Sequence, residues 1–291
     1  MRHNNCSSPG ALAADRYDCT LPWVRVTVPA SSANIGPGFD CLAVALDLPF
    51  HLDVGESRGA AAKLEEQHPA FTAFRKAGGA GDLFSETSIP PGKGLGFSGA
   101  ARVAGLAAAS LQRSGSIRFP ELLSGSGELE GHFDNVAASI YGSITATTGT
   151  SVIRLLCPPT LNIVVWVPEG KTSTNKSRTR LPSSVPLETA SQALARSTVL
   201  AAAIASSDLA AIRECCVDDL HQPTRLAAQP DSAAAIQAAL DSGAWGAWLS
   251  GSGPTVAAFV EKDITDAVMA ALPSSGHSKL LKVAQCGITV S

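Results

Sequence analysis

Short segments in which apolar and polar residues alternate predict the strands of this 291-residue chain. Alternation places every second side chain on the same face of a strand, which is the pattern of a half-buried strand. It is clear in residues 23–30 (WVRVTVPA), and a second extended segment covers residues 44–54. Paired strands are predicted around a turn at Gly149, in IYGSITATT and SVIRLL, and later strands in LNIVVWVPE, GAWGAWLS, TVAAFVE and LKVAQC.

Helices are predicted in the segments between these strands. The helix that follows Gly96, over residues 98–113, is rich in small residues and favours close packing. Further helices are predicted over residues 71–76, 119–130, 186–206, 208–220 and 231–242. Because strands and helices do not alternate regularly, we predict an α+β fold and not a doubly wound sheet.

The Cys157-Pro158-Pro159 break divides the chain into two units. A chain of this length accommodates two domains of roughly 150 residues. We predict a loose N-terminal extension over residues 1–22, a first domain over residues 23–157 and a second over residues 158–291.

The composition excludes several classes of protein. With 45% hydrophobic and 16% charged residues the chain is globular, and a net charge of −3 without a basic run argues against a nucleic-acid partner. Apolar segments such as residues 161–167 are too short to span a membrane, and the N-terminus lacks the apolar core of a signal peptide. Seven cysteines without CxxC or Cys–His spacing indicate reduced thiols and no zinc site. We therefore expect a soluble, cytoplasmic protein.

The segment IPPGKGLGFSGAA, residues 89–101, has the features of a phosphate site. Glycine leaves backbone amides uncovered, and the following helix directs its free N–H groups and positive dipole end toward the loop. Lys93 would add positive charge, and the Ser98 hydroxyl could reach a phosphate or its magnesium ion. The Walker spacing is absent, and the GxGxxG match lacks the preceding strand of a dinucleotide fold. The alternative is a glycine turn that closes a packed helix.

Three further segments place polar groups on loops. Asn34 and Asp40 flank the Gly36-Pro37-Gly38 turn, which could equally be an ordinary turn with side-chain hydrogen bonds. In LEGHFDNVAAS, Glu130 is a suitable oxygen ligand for Mg²⁺, whereas Asp134 could be only a helix cap. His132 favours a structural role. The third segment is GAWLSGSGPTVAAF, with Ser250 and Ser252 in a glycine-rich loop that could also be a plain hairpin connection.

Together these segments resemble the GHMP small-molecule kinases. PPGKGLGFSGAA looks like their phosphate loop and WLSGSGPTV like their C-terminal glycine motif. Within that superfamily, the signatures of homoserine kinase are similar to SSANIGPGFDCLAVALDLP, EGHFDNVA, STNKSRTRLP and DDLHQPTR. The resemblance implies a two-domain α+β fold, with a first domain like ribosomal protein S5 domain 2 and a ferredoxin-like second domain.

The resemblance also implies an activity, which is transfer of the ATP γ-phosphoryl group to the side-chain hydroxyl of L-homoserine, in threonine biosynthesis. Arg178 and Arg225 match the two carboxylate-binding arginines of the family, in keeping with bidentate guanidinium–carboxylate pairing. The positions that hold the substrate ammonium and hydroxyl are matched by Asn34, Asp40, Asp134 and Asn135. The ATP-binding positions are Pro91, Gly92, Lys93, Gly94, Leu95, Gly96, Phe97, Ser98, Gly99, Ala100 and Ala101.

The resemblance assigns the cofactor Mg²⁺ to Glu130 and Ser98, with Glu128 as the alternative carboxylate. Asp134 or Asp40 could accept the hydroxyl proton, although an orienting role is favoured because aspartate is a weak base for an alcohol. The family often dimerises, so a homodimer is one possible assembly.

The chain departs from the family pattern at two places. Phe97 replaces the first serine of the usual GLGSSAA loop and Gly99 replaces an alanine, and the region between Val54 and Ile89 is short, with HPAFTAFRKA as the remnant of the nucleoside-contacting segment. Packing of Phe97 against this short region is one hypothesis. Two alternatives therefore stay open: a GHMP kinase for another small hydroxy acid or amino acid, and a relative that binds an amino acid with little or no catalysis.

Overall fold

The computed structural model of the protein describes residues 16–18, 24–169 and 177–291, the first three by their backbone alone. Within these residues the strands form a seven-stranded sheet, a four-stranded sheet and a two-stranded ribbon, with helices packed on both larger sheets. The predicted α+β class is confirmed. Residues 1–15, 19–23 and 170–176 lie outside the described part, including residues 173–176 of the predicted arginine-bearing segment.

The larger sheet belongs mainly to the first half of the chain. Its strands are β2 (Arg25–Ala33), β3 (Leu42–Val54), β4 (Ala62–Lys63), β5 (Leu83–Thr87), β7 (Ile144–Thr147), β8 (Val152–Leu155) and β13 (Thr289–Val290). The order is β13-β2-β3-β5-β4, and β7 joins β3 to β8, with every pairing antiparallel. β2 and β3 are central, and Val26, Val28, Phe50 and Leu52 are fully buried in the main core.

Four helices accompany this sheet. They are α1 (Pro69–Lys76), α2 (Phe97–Ser114), α3 (Phe119–Glu130) and α4 (Asp134–Tyr141). The small side chains of α2 let it cross α1 closely, and a Cβ atom at Gly105 would overlap the carbonyl oxygen of Ala70. α2 therefore lies deep in the core, with its N-terminus at the edge of the sheet.

The smaller sheet follows in the order β10-β11-β9-β12. Its antiparallel strands are β9 (Leu161–Pro168), β10 (Gly246–Leu249), β11 (Val256–Glu261) and β12 (Gly276–Leu281). The remaining helices of the described second half are α5 (Leu187–Ser206), α6 (Leu209–Cys215), α7 (Gln222–Leu226), α8 (Pro230–Asp241) and α9 (Thr265–Ala271), with a 3₁₀ turn at Lys262–Ile264. Of the side chains that the structure describes, Trp166 and Trp248 are the largest that are fully buried.

Several boundaries differ from the sequence-based predictions. The helix predicted over 208–220 ends at Cys215, and the strand predicted in LKVAQC is replaced by β12, which ends at Leu281. Ile140 and Tyr141 end α4 and do not begin a strand. In the predicted extension, residues 16–18 form strand β1, which pairs with β6 (Ser116–Arg118).

The end of the chain returns to the first sheet. β13 pairs with β2, and Val283 bridges to Leu46 of β3. Four described cysteines are free, but Cys286 is disulfide-bonded, so the prediction of reduced thiols is wrong at that position. Among the helices of the described residues, none is both long and apolar enough to cross a membrane.

Candidate active site

A single cleft brings together segments that are far apart in the sequence. It lies between the start of α2, the turn after β2, the start of α4 and the loop after β10. The predicted site residues that line it are Asn34, Asp40, Gly92, Gly94, Leu95, Gly96, Phe97, Ser98, Gly99, Glu130, Asp134, Asn135, Arg178 and Arg225. It is also lined by residues for which no ligand contact was predicted, namely Pro90, His132, Gly251 and Ser252.

The glycine loop ends in a left-handed turn that starts α2. Gly96 has a φ of 70°, and a Cβ atom there would overlap the hydroxyl of Ser31 on β2. The amide of Ser31 donates to the Leu95 carbonyl at 3.3 Å and ties the loop to the strand. The first N–H groups of a helix have no intrahelical acceptor, and Phe97, Ser98 and Gly99, which carry them, line the cleft. This arrangement suits an anion such as phosphate.

The second glycine-rich loop, between β10 and β11, packs directly against the first. The Ser250 hydroxyl donates to the Gly94 carbonyl at 2.6 Å, and its oxygen lies 2.8 Å from the Ser32 hydroxyl, from which it can accept. A Cβ atom at Gly94 would overlap the carbonyl oxygen of Ser250, so only glycine permits this approach. The loop is therefore a wall of the cleft and more than a hairpin connection.

The start of α4 supplies a carboxylate with one oxygen already occupied. Asp134 is buried, and its Oδ1 faces His132 Nδ1 at 3.0 Å and accepts from the Asn135 amide at 2.8 Å. Burial alone would lower the pKa of His132, but Asp134 and the charge of Glu130 outweigh it and raise that pKa. Asn135 is held by the Ser31 hydroxyl, which donates to its Oδ1 at 2.8 Å. Among the described residues no donor is bound to Oδ2 of Asp134, which leaves it for a ligand.

Glu130 ends α3 and lines the cleft. The Arg102 guanidinium contacts Glu130 Oε1 as an ion pair, but the contact lacks hydrogen-bond geometry, and no described residue donates a hydrogen bond to this buried oxygen. Glu130 and Ser98 are hard oxygen donors of the kind Mg²⁺ takes beside phosphates. Among the described residues no three His, Cys, Asp or Glu side chains converge as a metal site. Glu128, the alternative carboxylate, is exposed on α3 and does not line the cleft.

The two arginines of the predicted carboxylate clamp differ in their surroundings. Arg178 is partly exposed and forms a bidentate pair with Asp40, at 2.8 and 2.7 Å, which raises the pKa of the arginine. Arg225 is 3% exposed, and its Nη1 donates to the Gly251 carbonyl at 2.9 Å. Its Nε has no partner among the described residues. Arg225 is thus the buried cation of the cleft with unused hydrogen-bonding capacity.

Asn34 connects the turn after β2 to the loop after β10. It has a φ of 62°, and its Nδ2 donates to the Gly251 carbonyl at 3.0 Å while its Oδ1 accepts from the Asp40 amide at 2.9 Å. Both polar ends of the amide are therefore bound within the protein. In this arrangement Asn34 shapes the turn and Asp40 presents its carboxylate to Arg178.

Four of the predicted ATP contacts do not line the cleft: Pro91, Lys93, Ala100 and Ala101. The Lys93 ammonium instead donates to the carbonyls of Pro168 and Glu169 at the end of β9, the second at 2.6 Å. Ala100 and Ala101 are fully buried in α2. Of this segment, only the loop and the start of the helix therefore line the cleft.

The ring of Phe97 packs on aromatic neighbours. Its ring lies edge-on to Phe50, at 6.0 Å between centroids, and to His68, at 5.6 Å. His68 caps α1, which is the structure formed by the short segment HPAFTAFRKA. These contacts agree with the hypothesis that Phe97 packs against the shortened region.

Sequence reasoning missed Arg102, Phe39 and His221. Arg102 is four residues after Ser98, so helical spacing puts both on one face of α2. Phe39 lies within 5.5 Å of the guanidinium carbons of both Arg178 and Arg225. His221 precedes Arg225 by four residues, a spacing that DDLHQPTR displays, but its contact with Arg225 depends on burial that the sequence does not reveal.

Comparison with known proteins gives family matches in both halves of the chain. Residues 58–143 match the N-terminal domain of GHMP kinases and residues 200–278 their C-terminal region. The chain is 40% identical over 260 residues to homoserine kinase of Moorella thermoacetica, covering 82% of this chain and 87% of that one. It is 37% identical over 250 residues to homoserine kinase of Thermus thermophilus, covering 80% and 86%.

Solved structures extend the comparison to the whole fold. The crystal structure of homoserine kinase from Cytophaga hutchinsonii superposes with a TM-score of 0.80 at 25% identity, covering 94% of this chain and 99% of that one. Mevalonate kinase of L. major superposes with a TM-score of 0.66 at 15% identity, covering 89% and 95%, a likeness of fold alone. Both halves of the chain are therefore arranged as in these kinases.

Proposed function

The chain belongs to the homoserine kinase family of the GHMP kinases, and from that premise we propose that its cleft binds ATP and L-homoserine side by side. The reaction transfers the ATP γ-phosphoryl group to the side-chain hydroxyl of L-homoserine. The observation that carries the proposal for the site is the convergence of Asp134 and Arg225 beside the glycine loop. An amino acid carries an ammonium and a carboxylate, so its site needs one anionic and one cationic partner. Asp134 Oδ2 and Arg225 Nε have no hydrogen-bond partner among the described residues and can serve as these partners.

We assign the phosphates to the loop formed by residues 92–99. Phosphoryl transfer has a loose transition state whose charge is spread over the phosphate oxygens, so positioning and neutralisation are the main tasks of the protein. Backbone amides at the start of α2 meet that need without a mobile side chain. Lys93, bound at the end of β9, would serve by holding the loop against the smaller sheet.

We assign Mg²⁺ to Glu130 and Ser98, whose oxygens suit it. When bound, Mg²⁺ supplies charge neutralisation on the β- and γ-phosphates. Arg102 contacts the Glu130 carboxylate as an ion pair, so the guanidinium and Mg²⁺ would share this carboxylate.

The acceptor is oriented by the chain's own side chains. Arg225 binds the substrate carboxylate, with Arg178 and its partner Asp40 at the mouth. Asp134 Oδ2 accepts from the ammonium and from the reacting hydroxyl, and the side-chain amide nitrogen of Asn135 donates to the hydroxyl oxygen. Asp134 Oδ1 is already bonded to His132 and the Asn135 amide, so the carboxylate is fixed for orienting the hydroxyl.

The proposal is tested by ADP release with Mg-ATP and L-homoserine. Asp134→Asn is expected to lower kcat by about 10²–10³-fold, because orientation and proton acceptance are both weakened. Arg225→Ala is expected to raise KM for L-homoserine by roughly 30-fold or more, since a buried charge pair costs about 2–5 kcal/mol when truncated. Arg118→Ala, an exposed arginine paired with Glu121 far from the cleft, is the matched control and should keep wild-type kinetics. Absence of turnover by folded wild-type protein would overturn the proposal.

A further inference from the structure

Two buried side chains, Asp218 and His221, lie next to Arg225, the arginine proposed to bind the substrate carboxylate. Asp218, His221 and Arg225 are all buried, and His221 has no exposed surface. His221 Nδ1 lies 3.1 Å from Arg225 Nη1. Asp218 Oδ2 accepts from the backbone amides of His221 and Gln222, at 2.9 and 2.7 Å, and so fixes the start of α7, which carries the arginine.

The chemistry of this contact defines the state of His221. Guanidinium groups only donate, so Nδ1 must be the acceptor and the imidazole must be neutral with its proton on Nε2. Burial, together with the charges of Arg225 and Arg178, lowers the pKa of His221 to about 3. The charged and titratable groups that face the ring are these two arginines and Asp218, whose Oδ2 is 3.7 Å from Nε2.

Phe39, in the turn after β2, contacts the same groups. Its ring centroid is 5.1 Å from the His221 ring and 5.5 Å from each guanidinium carbon of Arg178 and Arg225. The face of an aromatic ring attracts cations because the ring carries negative charge density there. A ring shared by two arginines offsets part of their mutual repulsion and holds both near one point.

We propose that His221 and Phe39 are positioning residues that aim Arg225 at the substrate carboxylate and set the preference of the site for an α-carboxylate. This inference rests on the proposed function. Arg225 has Nη1 fixed by His221 and Gly251, so the remaining donors are directed without rotational freedom. Binding then loses little conformational entropy, which is the general advantage of a pre-organised site.

The test compares L-homoserine with 3-aminopropan-1-ol, which has the ammonium and the hydroxyl but no carboxylate. Steady-state turnover and calorimetric binding are measured for wild type, His221→Leu, His221→Asn and Phe39→Leu. Leucine removes the acceptor or the aromatic face, whereas the Asn oxygen lies where Nδ1 did and can accept from Arg225. Melting temperature and circular dichroism show that each variant is folded.

We expect His221→Leu and Phe39→Leu to raise KM for L-homoserine at least tenfold, with KM for ATP changed less than twofold. Their kcat/KM for 3-aminopropan-1-ol should stay within about threefold of wild type, so the preference for L-homoserine falls. His221→Asn should restore KM for L-homoserine to within about threefold. An equal loss for both acceptors, or no rescue by asparagine, would overturn the inference.

The same experiment separates this inference from the proposed function. If the wild type binds L-homoserine without turnover, the kinase proposal fails. The positioning role is then tested by the calorimetric Kd values of the two acceptors, with the same expected ratios between each variant and the wild type. If the wild type binds neither acceptor, both fail.

Discussion

Charges in the cleft are paired side chain by side chain, with one exception. Asp40 is bound by Arg178, Glu130 by Arg102, and Asp134 by His132. Among the described residues, Arg225 has no carboxylate partner in the ion-pair range. A buried, unpaired guanidinium costs free energy until an anion arrives, so the cleft favours a ligand that brings its own carboxylate.

Replacement of Phe97 tests whether its ring stabilises the fold through its contacts with Phe50 and His68 or obstructs ATP binding. Phe97→Ser removes the edge-on contacts with Phe50 and His68 and is expected to lower the free energy of unfolding by about 2 kcal/mol, less than for a fully buried ring. The Kd for ATP should change by less than about threefold. Urea denaturation measures the free energy of unfolding and calorimetry measures the Kd for ATP. Phe97→Leu keeps most of the apolar volume, so its free energy of unfolding should lie between those of wild type and Phe97→Ser. Much tighter ATP binding without loss of stability would instead identify the ring as an obstruction.

Arg102 is expected to compete with a cation for Glu130. Arg102→Ala removes a guanidinium from the Glu130 carboxylate, and a partly buried ion pair is worth about 1 kcal/mol. The Mg²⁺ concentration needed for half of the ADP-dependent rise in melting temperature should therefore fall roughly fivefold. Arg113→Ala, on the same helix but bonded to the Ala77 carbonyl, is the control and should leave it unchanged. A higher Mg²⁺ requirement would mean that Arg102 assists metal binding.

At the scale of elements, α2 connects the core to the cleft. Its first turn lines the cleft, and its middle crosses α1 where only glycine fits. The same helix therefore has one glycine imposed by packing, Gly105, and another, Gly99, that is not. At Gly99 an added Cβ would meet Val136 at 3.4 Å, an ordinary contact.

These two positions make a matched pair of substitutions. Gly99→Ala is expected to stabilise the protein by up to about 1 kcal/mol through helix propensity. Gly105→Ala is expected to destabilise it by about 2 kcal/mol or more, because the new methyl group forces α1 and α2 apart. Thermal and urea denaturation measure both. Equal effects of the two substitutions would contradict this account of the crossing.

Elements with strong local signals were predictable, and those defined by tertiary contacts were not. α3 occupies the predicted residues 119–130, with Pro120 at its start and Gly131 after its end. The helix predicted over 208–220 ends early because Asp218 captures the amides that begin α7. β12 was missed because it is a mostly exposed edge strand without apolar alternation.

At the scale of the whole molecule, the cleft exists because two sheets meet there. The glycine motifs, Asn34, Asp134 and Arg225 could be chosen from the sequence, since each residue type has chemistry of its own. The partners of these residues could not be predicted from the sequence. The ion pair of Arg102 with Glu130 and the contact of His221 with Arg225 depend on distances between side chains that local patterns do not encode. The return of β13 to the first sheet likewise has no local signal.

The buried His221 should make stability depend on pH. Its pKa is lowered to about 3 in the folded protein, against an ordinary value near 6.5, because of burial and the neighbouring arginines. Between these values the unfolded chain binds a proton that the folded chain excludes, so stability falls as the pH falls. From pH 7 to pH 5 this one group should remove about 2 kcal/mol from the free energy of unfolding.

His221→Asn isolates that contribution, because asparagine does not titrate. His51 and His68, whose pKa values are also lowered by burial, titrate in both proteins and cancel in the difference. The stability difference between wild type and His221→Asn, measured by urea denaturation, should therefore shift by about 2 kcal/mol in favour of the variant on going from pH 7 to pH 5. Parallel stability profiles over this range would mean that His221 accepts a proton in the folded protein, and an imidazolium there could not accept from Arg225.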